Sequence, residues 1–77
     1  MNIKVLFFGV IAEVTSKDEM SLSNIKDTDS LQEILLKQFP KIAKYKYLIS
    51  VNHEIVKNSK ILNDSDEVAL LPPFAGG

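Results

Sequence analysis

The chain has no cysteine and no arginine among its 77 residues, and His53 is its one histidine. Without a thiol there is no disulfide framework, no thiolate metal site and no nucleophilic sulfur. A zinc site needs clustered ligands that the chain does not supply, so no metal is expected. Any sulfur chemistry must therefore take place on something other than a side chain. Without arginine there is no bidentate fork for phosphate or guanine, and nucleic acid is not an expected partner. The densest basic stretch, Lys37, Lys41, Lys44 and Lys46, reads as a solvated helical face. No apolar run approaches a membrane span, and no basic, apolar and cleavable leader opens the chain. The expected location is the cytoplasm.

What is present suits one small globular domain. Apolar residues make up 45% and charged residues 25%, with a net charge of −1, a balance that argues against disorder. Ile3 to Phe8 is β-branched and aromatic and reads as a strand. Alternation puts Ile3, Val5 and Phe7 on the core face and Lys4, Leu6 and Phe8 on the other. Leu6 and Phe8 then lie either under a loop or in an exposed apolar patch. Gly9 ends the strand, and Val10 to Thr15 suits a short helical turn with Ile11 and Val14 inward. Met20 to Ile25 alternates as a second strand.

Asp27-Thr28-Asp29-Ser30 is a helix start. Ser30 with Glu33 fits a capping box, and Thr28 or Asp29 is an equal candidate for the cap. Leu31, Ile34, Leu35 and Phe39 share one face of the helix that follows, and Pro40 stops it. Lys41 to Lys46 suits a second short helical turn. Tyr47 to Asn52 is a third strand, Asn52-His53 a tight turn, and Glu54 to Lys57 a short fourth strand. His53 reads as a solvated turn residue. Asn63 to Asp66 is a turn before the fifth strand, Glu67 to Leu71, with Val68 and Leu70 inward and Leu71 facing the other way. One amphipathic helix with about five strands packs most economically as a mixed sheet with the helix across one face. This is an α+β, β-grasp arrangement in which the first strand pairs with the last.

Residues 1–71 form the expected domain and residues 72–77 an extended tail. Pro72 and Pro73 cannot extend a sheet ladder and favour an extended path. Six such residues reach roughly 20 Å. Gly76 and Gly77 are slender enough for a narrow channel. The expectation is that Pro72, Pro73, Phe74, Ala75 and Gly76 insert into a partner and present the Gly77 carboxylate as the working group. Gly-Gly alone says little, because glycine is common at chain ends.

The whole chain resembles the ubiquitin-like sulfur carriers, and among them the small subunit of molybdopterin synthase. The matching elements are Ile3-Lys4-Val5-Leu6-Phe7-Phe8-Gly9, Val51-Asn52, Asp64-Ser65-Asp66-Glu67-Val68 and, above all, Leu71-Pro72-Pro73-Phe74-Ala75-Gly76-Gly77. Carriers for thiazole synthesis share the fold and the Gly-Gly but usually lack the double proline. Ser65 departs from the glycine common in that turn.

The resemblance implies that a partner related to ubiquitin activators adenylates Gly77, using ATP and magnesium that this chain does not itself bind. A sulfur-donating protein then supplies sulfur that displaces AMP and leaves a thiocarboxylate. The large subunit of molybdopterin synthase accepts the tail, supplies the catalytic side chains and uses that sulfur to build the dithiolene. The family also implies a heterotetramer of two carriers on a dimeric large subunit. Phe8, Ile55 and Leu71 match the family's docking patch, and Asp66 and Glu67 are candidate acidic contacts for the activating enzyme. Three other readings stay open: a thiazole-pathway carrier, a protein modifier joined to lysines through Gly77, and an interaction domain with an inert tail.

Overall fold

The computed structural model describes residues 1–73. Strand β1 (Asn2–Phe7) is followed by helix α1 (Gly9–Thr15), strand β2 (Glu19–Ser23) and helix α2 (Thr28–Gln38). A 3-10 turn (Pro40–Lys44), β3 (Leu48–Val51), β4 (Glu54–Val56) and β5 (Glu67–Leu71) complete the described chain. The strands form one sheet in the order β2-β1-β5-β3-β4. β1 and β5 run parallel, and the other neighbouring pairs run antiparallel. The last strand thus lies in the centre, against the first, which is the expected β-grasp topology.

One face of the sheet holds the core. Ile3, Val5 and Phe7 of β1, Val51 of β3 and Val68 and Leu70 of β5 are buried there with Ile11, Leu31, Leu35 and Ile42 from the helical layer. The expected stripe of α2 divides into buried Leu31 and Leu35 and half-buried Ile34 and Phe39. Phe39 meets Phe7 edge to face, with ring centroids 6.0 Å apart at 73°, the arrangement that aromatic quadrupoles favour.

Several boundaries differ from those read in the sequence, each for a local reason. β1 ends at Phe7, because Phe8 turns into α1 as its N-cap residue. β2 ends at Ser23, because Asn24 takes a left-handed φ of 57°. Ile25 is buried beyond the strand rather than in it. The cap of α2 is Asp27, not Thr28, Asp29 or Ser30: its Oδ1 accepts from the Ser30 backbone N–H at 2.8 Å. Thr28 is instead buried, and its Oγ1 accepts from the Lys60 N–H at 3.0 Å. That bond ties the loop before β5 to the helix start, where Leu62 plugs the core at 3% exposure.

The β3–β4 turn follows from its residues. Asn52 and His53 have φ of 50° and 73°, the paired left-handed geometry of a two-residue hairpin. Asparagine tolerates that region better than most residues.

Candidate functional site

Among the described residues no helix lies over the second face of the sheet, and its cross-strand register assembles an apolar patch. Leu6 pairs with Ala69, Ala69 with Ser50, and Ser50 with Ile55, giving one row across four strands. In the next row Leu71 pairs with Leu48. Phe7 lies opposite Leu70, so Phe8 follows at the level of Leu71. The Phe8 N–H donates to the Leu70 carbonyl at 3.2 Å, which holds it to the sheet beyond the end of its strand. Phe8 remains 43% and Ile55 49% exposed. Such side chains on an uncovered sheet face form the kind of surface a protein partner covers.

Phe8, Ile55 and Leu71 line a common hollow of about 210 Å³ together with Leu6 and Ala69. The residues singled out from sequence are therefore brought together. Leu6 was placed outward by alternation in β1. Ala69 lies outward by the alternation of β5 but was not singled out, being small, whereas Ser50 and Leu48 were missed because their facing depends on the pairing of β3 with β5. His53 and Glu67 supply the polar edge, with His53 Nε2 3.7 Å from Glu67 Oε1.

Asp66 and Glu67 part company. Glu67 lies on the open face. Asp66 is buried, and both of its oxygens are engaged: Oδ1 accepts from Asn52 Nδ2 at 2.9 Å and Oδ2 from the Asn63 N–H at 2.8 Å. Those bonds, the Asn63 backbone N–H foremost and then the Asn52 amide, hold its carboxyl below the ordinary carboxylate range, helped by the Lys60 charge and opposed by burial. Asp66 thus builds the turn before β5, and of the two carboxylates Glu67 is the one that lines the open face. Ser65 sits in the same turn with a left-handed φ of 69°, the conformation that glycine adopts without strain.

β5 delivers the chain to the edge of the patch, where Pro72 packs against Gly9. A Cβ built on Gly9 would stand 3.3 Å from Pro72 Cγ, and Gly9 has a φ of +56°. Gly9 is therefore needed twice, for its left-handed backbone and for the close approach of the proline ring. Pro72 is half-buried by this contact and Pro73 is exposed. The remaining expected tail residues, Phe74, Ala75, Gly76 and Gly77, lie outside the described residues. Among the described residues no three His, Cys, Asp or Glu side chains gather as a metal site, and no helix is long and apolar enough to cross a membrane.

Comparison with known proteins agrees with this arrangement. Residues 5–77 match the model of the ThiS family. The molybdopterin synthase sulfur carrier subunit of Mycobacterium tuberculosis is 32% identical, over 100% of this chain and 99% of that protein. A solved complex of subunits 1 and 2 of molybdopterin-converting factor from Helicobacter pylori contains a chain of TM-score 0.75 and 26% identity, with both chains covered in full. Small archaeal modifier protein 1 from Methanosarcina acetivorans superposes with a TM-score of 0.82 at 23% identity, over 99% of this chain and 96% of that one. That last likeness is one of fold.

Proposed function

Because this chain belongs to the ThiS family, we propose that it is the sulfur carrier subunit of molybdopterin synthase, with residues 72–77 as the arm that carries the sulfur. The observation that carries this reading is the position of the tail root. Leu71 belongs to the apolar patch, and Pro72 is seated on Gly9 beside it. A partner docked on Phe8, Ile55 and Leu71 would receive whatever follows Pro73 at its own surface. The full-length likeness to a curated sulfur carrier subunit supports the choice of pathway. The H. pylori structure, a complex of subunits 1 and 2, supports a large subunit as the docked partner.

In this proposal the chain supplies a carboxylate and a handle. Gly77 attacks the α-phosphorus of ATP on an activating enzyme, with magnesium held there, and pyrophosphate leaves. Sulfur from a donor protein displaces AMP and leaves a thiocarboxylate. The arm then enters the large subunit, where the terminal sulfur bonds to a carbon of the pyranopterin precursor as an oxygen leaving group departs. Water then cleaves the acyl–sulfur bond, leaving the sulfur on the precursor and returning the Gly77 carboxylate. Two carriers acting in turn supply the two sulfurs, in a heterotetramer with a dimeric large subunit. The use of ATP fits a cytoplasmic location.

Intact mass spectrometry of the protein from cells holding its activating system tests the proposal. The expected species is heavier by the difference between sulfur and oxygen, and fragmentation locates the change to Gly77. An unmodified mass after incubation with ATP, activating enzyme and sulfur donor would overturn it. Gly-Gly remnants on cellular lysines that depend on this protein would point to a modifier instead.

A further inference from the structure

A second apolar surface lies round the β4 edge of the sheet, away from the centre of the docking patch. It is a groove of about 780 Å³ between the 3-10 turn, the end of α2 and the β3–β4 hairpin. Leu36, Tyr45, Leu48 and Ile55 line it together with Lys46 and Lys57. Three of these, Leu36, Tyr45 and Ile55, are large apolar side chains left 37%, 41% and 49% exposed. The groove ends at Pro73, beside the tail root.

Charge sets this groove apart from the rest of the molecule. Among the described residues its lining includes two lysines and no carboxylate. Residues 34–57, which supply most of it, carry five lysines (Lys37, Lys41, Lys44, Lys46 and Lys57) against Glu54 alone. The other four lysines of the chain accompany nine carboxylates. A protein with a net charge of −1 thus sets two lysines, Lys46 and Lys57, in the walls of one apolar cleft. A solvated helical face explains Lys37 on α2 and Lys41 and Lys44 on the 3-10 turn, but not Lys57 beyond β4.

The backbone adds a third element. β4 is the outer strand of the sheet and, among the described residues, pairs only with β3. Val51 and Glu54 close the two-residue turn as a hydrogen-bonded pair, so Ser50 and Ile55 form the non-bonded pair that follows. The Ile55 N–H and C=O therefore point outward at the lip of the groove. An edge of this kind accepts an added strand.

We propose that this groove binds an extended segment of a partner protein, in which apolar residues are flanked by aspartate or glutamate. The segment pairs its backbone with Ile55, its apolar side chains enter between Leu36, Tyr45 and Leu48, and its carboxylates meet Lys46 and Lys57. This contact does not depend on what the tail carries. Ile55 and Leu48 belong to both surfaces, so a segment in the groove lies beside a partner on the open face.

Titration of the 15N-labelled full chain with two synthetic peptides tests the proposal. Each has a Val-Ile-Val centre, flanked in one by paired glutamates and in the other by paired lysines. The expected result is that the acidic peptide shifts the amides of Leu36, Tyr45, Ile55 and Lys57. It should bind about tenfold more tightly than the basic one at low salt, an advantage that added salt erodes. The double variant Lys46→Glu/Lys57→Glu should reverse that preference and leave the amides of β1 and β5 in place. Equal binding of both peptides, shifts confined to Leu6 and Ala69, or no shift at millimolar peptide would overturn it. So would groove shifts produced by dilution alone, which would put a second copy there. Groove shifts on truncation after Pro73 would give the site to the chain's own tail, and would equally end the proposal.

Discussion

Asn52 and Asp66 lock the β3–β4 hairpin to the turn that launches β5. Asn52 Nδ2 donates to Asp66 Oδ1 at 2.9 Å, and Asn52 Oδ1 accepts from the Glu67 N–H at 3.0 Å. The Asn52 N–H completes the ring by donating to the Glu67 carbonyl at 2.8 Å. One amide side chain thereby fixes where the central strand begins, and with it where the tail root emerges.

Replacement of Asp66 by asparagine should weaken this lock without changing its shape. An amide has one acceptor oxygen where the carboxylate has two, and its NH2 would face either the Asn63 N–H or the Asn52 amide. The expected cost is about 1–3 kcal/mol, the range for losing a charge-assisted bond. It would be read as a lower urea midpoint with an unchanged m-value. An unchanged midpoint would show that the turn holds without the charge.

Stability should fall on both sides of a broad pH plateau. Asp27 and Asp66 have carboxyls held below their ordinary value of 3.8, the first chiefly by the Ser30 backbone N–H and the second chiefly by that of Asn63. Their contribution is complete above about pH 4, the usual unfolded value, and is lost as pH falls through the lower folded values. Tyr47 is shifted the other way, up from 10.0, because burial disfavours the phenolate. Its contribution is present below about pH 10 and is lost as pH rises through the raised folded value. Thermal midpoints across the pH range would check this, and Tyr47→Phe should flatten the alkaline limb alone.

Gly9→Ala should destabilise the protein by about 1–2 kcal/mol, the cost of a side chain in left-handed backbone. Its Cβ also meets Pro72, so the effect should extend to the tail root. Backbone amide shifts of Leu70 and Leu71 would report that displacement. A substitution silent in both stability and shifts would mean that the proline ring has room to move.

The paired change Phe8→Ser and Ile55→Ser should leave the domain folded, with a loss within about 1 kcal/mol, because both side chains are substantially exposed. Binding to the large subunit, measured by calorimetry, should weaken at least about tenfold, as expected when apolar anchors of an interface are removed. Undiminished binding would remove the open face from the docking surface.

Much of this architecture could be read from residue order, and the reasons it could not are local. Alternation in β1 gave both of its faces, and the stripe of α2 with Pro40 behind it gave the helix. The cap moved to Asp27 because several adjacent residues there have side chains able to accept from the first helical turn, and only the path of the chain decides among them. Leu62 escaped notice because it is a single core plug in an irregular loop, with no period to reveal it. Phe8 and Leu71 were legible as outward residues from alternation, and Ile55 was singled out by the resemblance. Their convergence, and the exclusion of Asp66 from that face, came only with the register of β5 between β1 and β3.

The sheet order carries a consequence for how the molecule is made. Within the described sheet the hairpin-like pairs β2-β1 and β3-β4 are joined through β5, which follows the other four strands in the chain. During translation both pairs must wait, each with an open edge, until Glu67–Leu71 has left the ribosome. Contacts between β1 and β5 span most of the chain, the kind of non-local closure that slows folding. Premature termination before Glu67 leaves two ribbons with no strand between them and a core that lacks Val68 and Leu70. Quality control is thereby built into the order of the strands: a molecule that displays a formed open sheet face has already been synthesised as far as Leu71.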